Sequence, residues 1–78
     1  MKKSVFFQEL QEALEFEDVE LQEETNLRAI EGFDSLAIMT IIAFVDEHFQ
    51  KKLTAQQLAS VTTTSSLMGI IGSEHFED

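Results

Sequence analysis

The arrangement in this chain best suited to chemistry is a hydroxyl group beside a carboxylate at the start of an apolar helix. It occurs at Gly32-Phe33-Asp34-Ser35-Leu36, where a long acidic stretch gives way to the most apolar run in the sequence. The first N–H groups of a helix have no partner within it, and the helix dipole puts partial positive charge at the same end. A phosphodiester on the Ser35 oxygen would therefore be favourably placed. Asp34 or Ser35 could equally serve as a plain N-cap. The triplet alone leaves both readings open, cap or acceptor of a covalent group.

Other chemistries find less support. Ser35, His48 and an aspartate could be written as a triad, but the two residues lie on one predicted helix. A rise of 1.5 Å per residue separates them by about 20 Å. No Gly-x-Ser-x-Gly elbow and no phosphate-cradling glycine loop is present. The chain has no cysteine, so it offers no thiol nucleophile and no thiolate metal site. His48 and His75 lack zinc-site spacing. The acidic segment Glu15–Glu24 has carboxylates without the alternating aspartates and central glycine of a calcium loop, leaving only diffuse divalent binding there. No catalytic residue and no specific metal ligand is expected.

The elements that hold Ser35 in place follow from hydrophobic spacing. Phe6, Phe7, Leu10, Ala13 and Leu14 predict a first helix that Ser4 could cap. Between Glu15 and Asp34 the periodicity loosens, and crowded carboxylates oppose a continuous helix. Leu27, Ile30 and Phe33 recur every three residues and are expected to pin this long loop to the core, with a helical turn between them. Ser35 to Gln50 predicts the principal helix, with Lys51 and Lys52 beyond it complementing its C-terminal dipole. A helix so apolar is central to a bundle or leaves a strip for a partner. Thr54 suits the cap of a short helix, Ala55 to Ala59. One of Thr62, Thr63 and Thr64 suits the cap of a last helix, which Gly72 closes. Residues 73–78 are expected to fray. The fold class is all-α, a small four-helix bundle of three longer helices and one short one, with a long first loop.

Bulk properties set the frame. The chain has 78 residues, a length that predicts a single domain over residues 1–78. The absence of proline and the presence of only three glycines favour uninterrupted helices. A net charge of −10 repels nucleic acid and anionic membrane surfaces and suits partners with basic patches. Gln8, Glu9, Gln11 and Glu12 break any apolar run after the leading lysines, so no signal peptide is expected. The default expectation is a cytoplasmic monomer.

Asp34-Ser35-Leu36 is followed by an apolar helix ending Val45-Asp46-Glu47-His48-Phe49, then by Leu53-Thr54, a short helix, Val61-Thr62-Thr63 and a last apolar helix. Thr25-Asn26-Leu27 and Gly32-Phe33 precede it. In this order, spacing, length and acidity the chain resembles the acyl carrier proteins over essentially its whole length. The resemblance implies that Ser35 carries 4′-phosphopantetheine, transferred from coenzyme A by a magnesium-dependent phosphopantetheinyl transferase. The thiol of that arm would hold acyl groups as thioesters, so the chain would need no cysteine of its own. Asp34 would serve the transferase site, and Leu36 would position the helix start and contact partners. Ala37, Met39, Thr40, Ala43 and Glu47 would form the face met by acyl-loading and acyl-processing enzymes. Phe6, Leu10, Leu27, Ile41, Ile42, Val45, Phe49 and Ile71 would line the core.

The sequence departs from the commonest branch of that family. Acidic residues are frequent there along the exposed face of the second helix, where this chain has Ala37 and Thr40. The short helix reads Ala55-Gln56-Gln57, with Lys51 and Lys52 nearby, and most of the negative charge lies in the first helix and first loop. Rim charges govern on-rate and partner choice, so these departures point to a specialised carrier of polyketide, nonribosomal-peptide or related synthesis rather than the main fatty-acid one. Two other readings remain: an unmodified acidic interaction module that docks a partner helix on its apolar face, and a divalent-metal sensor built on Glu15–Glu24.

Overall fold

The computed structural model describes residues 1–16 and 18–77. It is all-helical: α1 (Lys3–Leu14), α2 (Ser35–Phe49), α3 (Ala55–Leu58) and α4 (Thr64–Ile71), with 3₁₀ turns at Leu27–Ala29 and Ser73–His75. No strand forms among the described residues. Only isolated bridges join Lys2 to Glu77 and Asn26 to Thr63. The expected bundle of three longer helices and one short one is thus the architecture found.

One core serves all four helices. Phe6 and Leu10 of α1 meet Ile41, Phe44 and Val45 of α2, Leu58 of α3, and Leu67, Met68 and Ile71 of α4. Leu21 and Leu27 of the first loop, with Leu53 and Val61 of the later connections, close it. Phe6 is the hub, with its ring 4.9 Å from Phe76, 5.9 Å from Phe44 and 6.1 Å from Phe49. Of the expected core residues, Ile42 and Phe49 are half-buried against this cluster, and the other six are fully enclosed.

The helix ends correct several expectations. Ser4 does not cap α1. Lys2 occupies the N-cap without a side-chain bond, because pairing with the C-terminal segment fixes where the helix begins. There the Lys3 N–H donates to the Glu77 carbonyl and the Glu77 N–H to the Met1 carbonyl. The tail consequently does not fray through Phe76, whose ring lies against Phe6 and Phe49. Lys51 does not serve the end of α2. Its ammonium donates to the Ile70 and Ile71 carbonyls at 2.9 and 3.2 Å, so it closes α4 instead. α1 and α2 end on Glu15 (φ 59°) and Gln50 (φ 56°), non-glycine residues in the left-handed region. Thr54 and Thr63 each form a complete capping box, with Gln57 and Ser66 respectively.

The first loop is tied down by hydrogen bonds as well as by apolar anchors. The Leu27 N–H donates to the Thr62 carbonyl (2.7 Å), Thr64 N–H to Thr25 (3.1 Å) and Ser65 N–H to Glu23 (2.9 Å). Arg28 crosses to the end of α3, where its Nε and one terminal nitrogen donate to the Val61, Leu58 and Ala59 carbonyls at 2.6–3.0 Å. A connection of this length is uncommon in a compact domain. Here the Leu21 and Leu27 N–H groups and the Glu23 and Thr25 carbonyls are paired with the rest of the bundle, which satisfies groups that would otherwise be lost on burial.

Candidate functional site

The turn before α2 aims the site. The Phe33 N–H donates to the Ile30 carbonyl at 3.1 Å, closing a four-residue turn. Gly32 stands at its third position with φ 93°, the conformation that a type II turn requires there and that side chains oppose. Phe33 is half-buried beneath the Arg28 guanidinium, 5.8 Å from the ring centre. The chain therefore reaches Asp34 from a fixed direction.

Asp34 is the N-cap of α2. Its extended backbone and its Oδ1, which accepts from the Ala37 N–H at 3.1 Å, open the helix. That settles which of the two candidates caps: Asp34 does, and Ser35 is left as the first helical residue. Ser35 is exposed, and no hydrogen bond engages its hydroxyl among the described residues. The second oxygen of Asp34 is likewise without a partner among them. An exposed hydroxyl, an adjacent carboxylate oxygen and the N-terminus of a 15-residue helix thus converge on one point.

The flanking residues divide between surface and core. Leu36 and Met39 are 69% and 65% exposed, the largest apolar side chains on the surface of α2. Ala43 and Glu47 are exposed further along the helix. Thr40 is half-buried and its hydroxyl donates to the Leu36 carbonyl at 2.9 Å, so its polar group turns back on the helix. Ala37 corrects the expected partner face. At 6% exposure it is buried, three residues after Asp34 and turned to the inside, and it offers a partner almost no surface. His48 stacks on Phe44, ring centres 4.3 Å apart, near the far end of α2 from Ser35.

Two features near the site escaped sequence reasoning. Arg28, a lone cation within an acidic stretch, links the turn before Ser35 to α3. Its isolation among carboxylates was the available signal. Phe16 lies against Gly32, 3.8 Å from where a Cβ would stand, which brings the end of α1 to the same turn. Nothing in the spacing of Phe16 marks it for that contact.

An exposed serine hydroxyl at a helix N-terminus fits a phosphate-linked group. No helix among the described residues is long and apolar enough to cross a membrane. No curated protein and no solved structure gives a significant match to the chain. The family model described as "Phosphopantetheine attachment site" matches residues 5–71, from α1 to the end of α4. Proteins of this family are carriers rather than catalysts, and they hold 4′-phosphopantetheine covalently. With that match running across all four helices, the chain belongs to the phosphopantetheine-binding carrier protein family.

Proposed function

We propose that Ser35 is the attachment point and that the chain carries acyl or aminoacyl intermediates as thioesters. The observation that supports this most directly is the division of labour at the start of α2. Asp34 does the capping, which leaves the Ser35 hydroxyl exposed and unengaged at the positive end of the helix. The group supplies a flexible arm ending in a thiol, which this cysteine-free chain lacks. Ser35 Oγ bonds to the pantetheine-side phosphorus of coenzyme A and loses its proton, while the pyrophosphate bond breaks and the 3′,5′-ADP half leaves. The unpaired oxygen of Asp34 can meet a metal ion or a partner cation during transfer. The N-terminal N–H groups of α2 stabilise the resulting phosphodiester charge.

Leu36, Met39 and Ala43 form the contact strip for the transferase and the processing enzymes, joined by Glu47. This strip is mainly apolar, and the carboxylates of the chain gather elsewhere. Partners read it through burial more than through ion pairs. That character favours a specialised polyketide, nonribosomal-peptide or related pathway over the main fatty-acid one.

The test is direct. The apo chain is incubated with coenzyme A, magnesium and a promiscuous phosphopantetheinyl transferase, and its intact mass is measured. Wild type should gain the mass of one phosphopantetheine and Ser35→Ala should gain none. An unmodified wild type rejects the assignment, and a modified Ser35→Ala moves the site to another residue.

A further inference from the structure

An open groove of about 1060 Å³ runs between α1 and the first loop. Phe7, Phe16 and Leu21 supply its apolar surface, and Gln8, Gln11 and Gln22 supply carboxamides. One wall is the α1 stripe on the other side of the helix from Phe6 and Leu10, the two residues of that helix sunk in the core.

We propose that this groove is the resting place of the arm tethered at Ser35. The inference rests on the attachment proposed above. Two observations carry it, one of reach and one of chemistry. Phe16 forms one end of the groove and touches Gly32, three residues before Ser35. An extended chain covers at most about 3.5 Å per residue, so the groove mouth is within about 15 Å of the serine. The arm has about fourteen bonds along its chain from the serine oxygen to its sulfur, the length of nearly five extended residues, or about 16 Å. It therefore reaches the Phe16 end, and its distal amide and thiol are the part that meets the groove there.

The chemistry matches over that stretch. The arm carries two amides, a hydroxyl and a branched dimethyl carbon, with no charge beyond its phosphate. The groove answers with apolar rings and uncharged carboxamides. Gln11 Oε1 accepts from the Leu21 N–H at 3.2 Å, bracing the loop against α1. Its NH₂ group, and the side chains of Gln8 and Gln22, have no partner among the described residues. Those nearest Phe16 can donate to the distal amide carbonyl of the arm and accept from its N–H group. The rim carboxylates Glu12, Glu15 and Glu20 oppose entry of the phosphate and hold it at Ser35.

The absence of cysteine makes the test clean, because the arm thiol is the sole thiol of the modified protein. The ¹⁵N-labelled chain is converted to the holo form, its mass gain is confirmed, and the thiol is alkylated with a nitroxide maleimide. Amide signals of Gln8, Gln11, Phe16 and Gln22 should broaden well beyond those of Gln56 and Gln57 on α3. The double variant Gln8→Ala/Gln22→Ala removes two exposed side chains that hold nothing in the fold. It should keep its melting temperature and lose that excess broadening. A confirmed mass gain with broadening centred on α3, spread evenly, or unchanged in the double variant overturns the groove as the docking site. A wild type that gains no mass overturns the attachment itself, and the docking with it.

Discussion

Replacing Thr64 by valine should stabilise this protein. Thr64 is the first residue of α4, and it is fully buried. Its N–H donates to the Thr25 carbonyl at 3.1 Å, and valine keeps that bond. Its Oγ1 is buried with no hydrogen-bond partner among the described residues. A buried hydroxyl without a partner forfeits its hydrogen bonds to water, at a cost of about 1–3 kcal/mol. Valine places a methyl group of nearly the same shape there, and its helix propensity is close to that of threonine. The expected gain is about 1–2 kcal/mol. In a domain of this size each kcal/mol corresponds to about 4–8 °C in Tm. Thr64→Ser separates the two contributions, because it keeps the hydroxyl and deletes the methyl. It should lower stability by about 1 kcal/mol, the value of a buried methyl group and the gap it leaves. The assay is urea and thermal unfolding followed by circular dichroism, with the urea slope unchanged between variants. A Thr64→Val protein that melts at or below the wild-type temperature would refute the reasoning, since it would mean that the hydroxyl is satisfied in the folded state.

Three more expectations follow from features of the fold. Gln50→Gly should raise stability by about 0.5–1 kcal/mol in the same unfolding assay, because glycine relieves a left-handed C-cap strain of about 1–2 kcal/mol and returns part of it as unfolded-state entropy. Arg28→Leu removes three hydrogen bonds to carbonyls at the end of α3, and on a largely exposed side chain this should lower stability by about 1–2 kcal/mol. Amide exchange should accelerate at Leu27 and Leu58 more than at Val45; uniform acceleration would contradict a local clamp. The carboxylates crowded between Glu9 and Glu31 repel one another in a chain of net charge −10, so millimolar magnesium should raise Tm, and an ion-independent Tm would count against that repulsion.

What the sequence made legible is what is decided locally. The apolar period of α2, the capping threonines at 54 and 63, and the anchors Leu27, Ile30 and Phe33 announce themselves within a few residues, and the elements appear where that spacing places them. What stayed hidden is set by pairings between distant segments. Ser4 is readable as a cap, but Met1 and Lys3 bond with the far end of the chain and set where α1 begins. Phe76 looked like part of a loose tail because nothing nearby shows that Phe6 lacks a neighbour on that side. Lys51 sits where a dipole partner of α2 belongs, yet the end of α4 lies closer to its ammonium. At the site, Asp34-Ser35-Leu36 was readable as a triplet. The inward turn of Ala37 depends on the packing of the whole helix and could not be read from the residue itself.

The bonds between the first loop and the start of α4 also bear on how the molecule opens. α4 has eight residues, too few to persist alone in water. Two of its first N–H groups donate not to its own cap but to Thr25 and Glu23, about forty residues earlier. The loop is in effect the missing first turn of that helix. Their order is coupled through these bonds, so they should melt and reform as one cooperative unit while α1 and α2 hold together. That unit extends through Leu27 and Arg28 to the turn at Gly32. A breathing motion of α4 therefore arrives at the doorstep of Ser35 with no need for α2 to move.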